Sequence, residues 1–407
     1  MQPRGATPDR QARRAYAATA IVFLVNGALI GNWVPRIPAI RDHVGATTGP
    51  LGVALLGIAL GALASKQLAG PLVARFGSAP ITRLGIAASC AALPLPALAG
   101  SVVTLGLALI GFGAAMGVLD VAMNSHAVAL EVRRGRATMS SLHGSYSVGG
   151  LAGAVIGGWA SDAGLAPLPH LALAGAVLAV VALAASAALL PPGPERAPAA
   201  HRRAGFGALS RAHRISIIAL GIVALCGMAG EGSAGDWSAI YLRDDLGTGP
   251  GLASAGYAAY SIAMACGRFL GDRVVTAWGG LAVLRRALAL AGGGFALGLV
   301  ARDPRAAIAG LAALGLGLSV VVPVVFSTAG RIGERQLGPT IGVVSSISGA
   351  GAFAGPPLIG CVAELTGLPI ALGLVSALAF TGIALLRLVQ PPDTTTPPPP
   401  DPAAPQG

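Results

Sequence analysis

Charge is what this sequence has least of. Only 11% of its 407 residues are Asp, Glu, Lys or Arg, against about a quarter in soluble domains, too few to wet the surface of a globule this long. Aromatic residues are equally scarce, at 4%. Lysine occurs once, at Lys66, among 27 basic residues, a bias that reads as base composition rather than chemistry. The four cysteines, Cys90, Cys226, Cys266 and Cys361, stand singly inside apolar segments. That excludes a Cys-x-x-Cys or metal framework and leaves them as small core residues. No nucleotide-binding loop, metal-ligand cluster or catalytic-triad spacing is present, so neither an enzyme nor an ATP-driven pump is expected, and no cofactor. The net charge of +11 does not describe a nucleic-acid surface, because the arginines are spread through short gaps between apolar runs.

What is present is apolar length. Hydrophobic residues make up 54% of the chain, mean hydropathy is +0.73, and there are 60 glycines, a composition suited to closely packed membrane helices. Runs near the roughly 20 residues that cross a bilayer fall at 15–35, 49–70, 81–100, 102–129, 140–161 and 168–190, then at 214–236, 250–271, 281–300, 305–328, 339–363 and 368–389. A soluble Ala-rich helical protein would show polar faces between such runs. The expectation is an all-α membrane protein of twelve transmembrane helices in two pseudo-symmetric six-helix bundles, 15–190 and 214–390. A Pro-rich, basic linker spans 191–213, with a short N-terminus at 1–14 and a polar Pro-rich tail at 391–407 expected to be disordered. The basic start leads into a full-length span without a small-residue cleavage site, so no cleaved signal peptide is expected.

With twelve spans, both termini and the even-numbered gaps share one side. That side holds 21 arginines; the other holds five: Arg36, Arg41, Arg243, Arg302 and Arg305. By the preference of arginine for cytoplasmic loops, both termini are expected in the cytoplasm of a cell whose inner membrane carries the protein.

The halves repeat. Gly31-Asn32-Trp33, then Arg41-Asp42 and Thr48-Gly49-Pro50, recurs as Gly235-Asp236-Trp237, Arg243-Asp244 and Thr248-Gly249-Pro250. In spans 5 and 11, Gly153 to Gly158 followed by Asp162 mirrors Gly355 to Gly360 followed by Glu364, each 202 positions on. The gap after span 2, Gly70-Pro71-Leu72-Val73-Ala74-Arg75-Phe76-Gly77 with Arg83 downstream, resembles the loop signature of the major facilitator superfamily (Gly-x-Leu-x-Asp-Arg-x-Gly). It departs at Ala74, where the family carries an Asp. A degenerate second copy lies at Gly267-Arg268-Phe269-Leu270-Gly271-Asp272-Arg273. The resemblance covers 15–390 and implies two bundles rocking about a central site, with the inner gate locked in part by charge pairs near the missing acid. Here other groups must serve, Arg75 on the carbonyl end of a neighbouring helix being one. The stretch from Gly117 through Asp120 and Asn124 to His143-Gly144 further resembles a bacterial branch related to fucose-permease-type sugar transporters.

An ionisable group within a bilayer costs roughly 2.5–3.5 kcal/mol on insertion scales, which makes Asp120 in span 4 and Glu231 in span 7 the leading proton or substrate candidates. Spans 1, 4, 7 and 10 line the cavity in the resembled family. Removal from water favours the neutral acid, the property a proton carrier needs; the bland alternative is an acid paired with Arg. Asn124 shares a helix face with Asp120 at i, i+4, and His143 lies at a similar depth, as relay or as packing residue. Asn26 and Asn32 are candidates for hydrogen bonding to substrate, and Asp236 for the outer vestibule. Trp33 and Trp237 read as an interfacial belt, the sharper alternative being a sugar-stacking platform. Glu131 with Arg133, Arg134 and Arg136, and Glu334 with Arg331 and Arg335, sit at equivalent loops of the two halves and are expected to form charge pairs between the halves at the inner gate, beside Asp272 and Arg273. Gly149, Gly153 and Gly157 permit close helix approach, and Ala154 in place of a proline weighs mildly against drug/proton antiport.

The function expected is secondary transport of a small polar, sugar-like solute, with protons as coupling ion and the lipid bilayer and the solute as partners, by a monomer that binds no nucleic acid. The alternatives are a multidrug or metabolite efflux carrier of the same fold and a membrane sensor or assembly factor that has lost transport.

Overall fold

A computed structural model describes residues 10–46, 48–191, 206–248, 250–333 and 336–390. Glu334 and Arg335, linker residues 192–205 and the tail from 391 lie outside the described residues, as do the side chains of Asp162, Pro356 and Pro357. The protein is all α. Its first half comprises α1 (Arg10–Trp33), a short α2 (Ile37–His43), α3 (Thr48–Phe76), α4 (Ser78–Ala92), α5 (Val102–Arg134), α6 (Met139–Asp162) and α7 (Pro167–Ser186). The second comprises α8 (Arg211–Ile240), α9 (Pro250–Trp278), α10 (Gly280–Ala301), α11 (Pro304–Leu318), α12 (Val321–Ile332), α13 (Leu337–Thr366) and α14 (Leu368–Leu385). The tenth crossing, read from sequence as one helix over 305–328, is instead broken between α11 and α12. Pro323 explains the break, since it has no N–H and its ring clashes with the carbonyl four residues back, at Ser319.

Neighbours within the halves correspond: α3 packs on α5 as α9 on α11, α1 on α6 as α8 on α13, and α4 on α7 as α10 on α14. The α3–α4 and α9–α10 turns are single glycines 202 positions apart, Gly77 at φ 91° and Gly279 at φ 77°, a backbone region that disfavours any side chain. Large apolar side chains cover the outside, with Leu365 exposed at 86% and Val300 at 81%, as a surface bathed in lipid rather than water requires.

Nine helical segments among the described residues are long and apolar enough to cross a membrane. The remaining long helices, α6, α9 and α13, complete the twelve crossings. With α3, they face the other half, α3 against α13 and α6 against α9. The backbones of the two halves meet at Gly70 on α3 and Gly338 on α13: a Cβ on Gly70 would stand 2.8 Å from the carbonyl oxygen of Gly338, and one on Gly338 closer still to that of Gly70. Gly70 lies toward the face that carries both chain ends, called here the terminus face.

Candidate functional site

Lys66 and Arg268 each stand ten residues from the end of their helix, about 15 Å at 1.5 Å per residue and so near the middle of a roughly 30 Å hydrocarbon core. There the halves enclose a cavity of about 290 Å³, walled by Phe23, Met116, Met123, Met228 and Phe326 and polar at Asn26, Lys66, Asp120, His143, Tyr146, Glu231, Arg268, Ser345 and Ser348. Arg268, counted from sequence among the arginines of a cytoplasmic gap, is therefore a cavity residue. The arginine asymmetry survives its removal.

Two ion pairs face the cavity, and they are bonded very differently. In the first half, Asp120 Oδ2 meets Lys66 Nζ at 3.0 Å and accepts a hydrogen bond from Ser345 Oγ of the other half. Asp120 Oδ1 accepts from Asn124 Nδ2 at 3.0 Å. Because the Asn124 amide nitrogen is committed to Asp120, its Oδ1 must accept, and His143 Nε2 donates to it at 3.2 Å. His143 is clamped between Phe23, edge-on at 5.2 Å, and Phe326, stacked at 6.3 Å. Asp120, Asn124 and His143 thus form one hydrogen-bonded chain.

In the second half, Glu231 Oε2 lies 3.4 Å from Arg268 Nη2, longer than the usual 2.7–2.9 Å, roughly, of a charged N–H···O bond. Glu231 Oε1 has no hydrogen bond among the described residues. Arg268 Nη1 donates across the junction to Ser147 Oγ on α6, but its buried Nε has no acceptor among the described residues. Nearby, the buried hydroxyl of Tyr260 is also without a partner. On the opposite wall of the cavity, so is Asn26 Oδ1.

The two cations are related by the internal repeat: 202 positions separate Lys66 from Arg268. Each grips the corresponding helix of the opposite half, Lys66 Nζ donating to Ser345 O on α13 at 3.3 Å and Arg268 to Ser147 on α6. The same offset between Gly77 and Gly279 was available in the sequence and would have paired them. The acids are not so related, since Asp120 and Glu231 sit on the fourth and first spans of their halves.

Below the cavity the halves are locked on the terminus face. A helix start leaves four unpaired N–H groups, and at α6 all four are met by carboxylates. Glu131 Oε2 accepts from Thr138 N at 2.9 Å and Met139 N at 3.2 Å. Asp272, from the other half, accepts from Ser140 N at 2.9 Å and Ser141 N at 3.0 Å. Glu131 also accepts from Ser327 Oγ and lies 3.6 Å from Arg331, both on α12. The second copy of the loop signature supplies the acid that Ala74 lacks, while the first copy closes by backbone contact of Gly70 with Gly338. Asp272→Asn replaces one of the two accepting oxygens by an NH2 group and removes the charge. Exchange of the first α6 turn should then accelerate by about tenfold in hydrogen–deuterium exchange, as loss of a charge-assisted bond worth about 1.5 kcal/mol implies. Unchanged exchange would show that the lock does not depend on this carboxylate.

Other sequence candidates lie elsewhere. Of the two loop clusters expected to pair across the gate, Glu131 and Arg331 stand 3.6 Å apart, while Arg133 donates to Gln11 Oε1 at 2.7 Å and Arg134 sits over the Tyr16 ring at 4.3 Å within the first half. Arg75 lies over Phe76 at 5.1 Å, and the helix carbonyl end expected of it is met by Arg83, which donates to Ser186 O at 2.9 Å. Leu72 packs beside Val73, Ile81 and Ala122. Arg273 lines a basic groove with Arg134 and Arg136. A wider recess of about 710 Å³ on the terminus face, lined by Glu131 and Arg331, is cut off from Asp120 and Glu231 by the lock. Asn32 is spent on Ala28 O at 2.8 Å and on His170 Nε2 at 3.1 Å. Trp33 is 3% exposed, buried in its bundle rather than in an interfacial belt. Neither it, Trp237 nor Asp236 lines the cavity.

The sequence pattern of the Major Facilitator Superfamily matches residues 19–332 and 238–406. An uncharacterised MFS-type transporter of Yersinia pestis is 35% identical over 91% of this chain and 95% of its own length. The membrane protein MosC of Rhizobium meliloti is 32% identical over 86% of this chain and 84% of its own length. Among solved structures, FucP in the outward conformation superposes with a TM-score of 0.78 at 15% identity, covering 94% of this chain and 100% of that one; FucP is the fucose:proton symporter of E. coli.

Proposed function

The chain belongs to the major facilitator superfamily of membrane transporters, and on that premise we propose a secondary active carrier of a small polar solute, coupled to protons through Glu231. The cavity would open alternately to the two faces as the halves rock. Unequal bonding of the two charge pairs is what supports this best. Asp120 is engaged by an ammonium, a hydroxyl and an amide. Glu231 has one long contact and an oxygen left open, and an acid with few donors is the one able to exchange its proton during a transport cycle.

The cavity of about 290 Å³ is at the small end of the roughly 300–1,000 Å³ usual for ligand sites, which favours a sugar-sized solute over a multidrug cargo. FucP, with which the fold is shared, is a fucose:proton symporter. We place the terminus face in the cytoplasm, and the protein in the inner membrane, on the arginine asymmetry. In that orientation the lock at Asp272 and Glu131 closes the inner side, and solute and proton enter from outside.

The test is purified protein in liposomes, offered neutral sugars, polyols, small carboxylates and cationic dyes with and without a pH gradient. Alkalinisation of the outside on adding one of the small solutes, abolished by a protonophore, is the expected result. Proton-driven dye extrusion with no response to small solutes would favour the efflux carrier instead.

A further inference from the structure

The unpartnered atoms around Arg268 say more about the cargo than the cavity's size does. A guanidinium has a side-on edge, formed by Nε–H and one Nη–H, that matches the two oxygens of a carboxylate. In Arg268 the remaining nitrogen, Nη1, is committed to Ser147. The side-on edge is left with Glu231 at 3.4 Å from Nη2 and nothing on Nε. A buried donor without an acceptor is costly, so the site as it stands lacks a group. Lys66 shows the contrast: its Nζ meets both Asp120 and Ser345 O. The second orphan in the cavity wall, Asn26 Oδ1, needs a donor, which a carboxylate alone does not bring and a hydroxyl does.

We propose that the substrate is a small hydroxylated carboxylate, bound by its two oxygens to the Nε–Nη2 edge of Arg268 and by a hydroxyl to Asn26 Oδ1. This rests on the carrier reading above. Glu231 takes one proton as the anion binds and yields its place on Arg268, so one proton and one monoanion move together and the loaded site gains no net charge. The groups facing Glu231 are consistent with that exchange. They are Arg268 and Tyr260 on α9, Tyr146 on α6 and, across the cavity, the satisfied Lys66–Asp120 pair and His143. None supplies a second cation free to hold Glu231 once the anion arrives.

Isothermal titration of the purified full-length protein separates the outcomes, with matched probes: D-gluconate against D-glucitol, and L-lactate against 1,2-propanediol. Carboxylates should bind and the neutral partners should not, and titrations in buffers of different ionisation heat should report uptake of about one proton per anion. Arg268→Lys, which keeps the charge but loses the edge, should weaken carboxylate binding about tenfold or more. Glu231→Gln should bind carboxylate without proton uptake, and serves where the arginine variant is poorly folded. Equal binding of the neutral partners, binding of no carboxylate at millimolar concentration, or a well-folded Arg268→Lys with unchanged affinity would each overturn the proposal. If a neutral sugar then drives alkalinisation in liposomes, the carrier reading stands and only the anion is lost; if carboxylates bind but no flux occurs, transport is lost and the anion site stands.

Discussion

Liposomes carrying Glu231→Gln should equilibrate solute but not concentrate it. One proton moving with each solute turns a one-unit pH difference into about tenfold accumulation, the concentration equivalent of about 1.4 kcal/mol. The amide is nearly isosteric, and its oxygen still accepts from Arg268 Nη2, which Glu231 meets at 3.4 Å. It cannot exchange a proton, so the accumulation ratio should fall to one while exchange of labelled for unlabelled solute across the membrane continues. Those two readouts distinguish a coupling defect from a collapsed site, which would abolish both. Asp120→Asn offers the comparison: its partners Lys66, Ser345 and Asn124 make Asp120 part of the frame, so its loss should lower both readouts together. Accumulation that survives in Glu231→Gln would place the coupling proton elsewhere.

How far these roles were legible in the sequence depends on which physical constraint writes them. Spanning length and arginine placement write the fold, because the bilayer admits few ways to satisfy a backbone. The broken tenth crossing was legible too, in Pro323, but apolar runs alone do not register it. Asp120, Asn124 and His143 could be grouped because an i, i+4 spacing and equal depth are local facts. Lys66 and Arg268 were not found: Lys66 was absorbed into composition and Arg268 into a basic gap, since hydropathy places a helix end only within a few residues. The 202-residue offset that joins them is a sequence fact, but its meaning needs the helices around it. Trp33 and Asn32 were misplaced for a different reason. Which way a side chain faces near a helix end is decided by packing from other helices, and Asn32 was taken by His170, 138 residues away.

The frame role of Lys66 and Asp120 makes a sharp prediction about stability. Side-chain exposure is 14% for Lys66 and 27% for Asp120, so the pair is largely out of water. Removing one member of a buried pair strands the other and costs about 3 kcal/mol, the low end of the usual range because the cavity reaches Asp120. Lys66→Met leaves the carboxylate with only Ser345 and Asn124 as donors. Asp120→Asn leaves an ammonium on Ser345 O, at 3.3 Å. Each should lower the thermal midpoint in detergent by several degrees. The double variant strands nothing, replacing two desolvated charges by a thioether and an amide, and should cost no more than either single change, about 3 kcal/mol where additivity would give about 6, a coupling of about 3 kcal/mol, at the upper end for contacting residues. Additive losses would mean that the two charges are held by their surroundings and not by each other. The same cycle on Glu231→Gln and Arg268→Met should give a much smaller coupling, because a contact of 3.4 Å with 36% exposure at the acid binds weakly in the folded protein. That difference is what lets one pair hold the halves while the other is free to change partners.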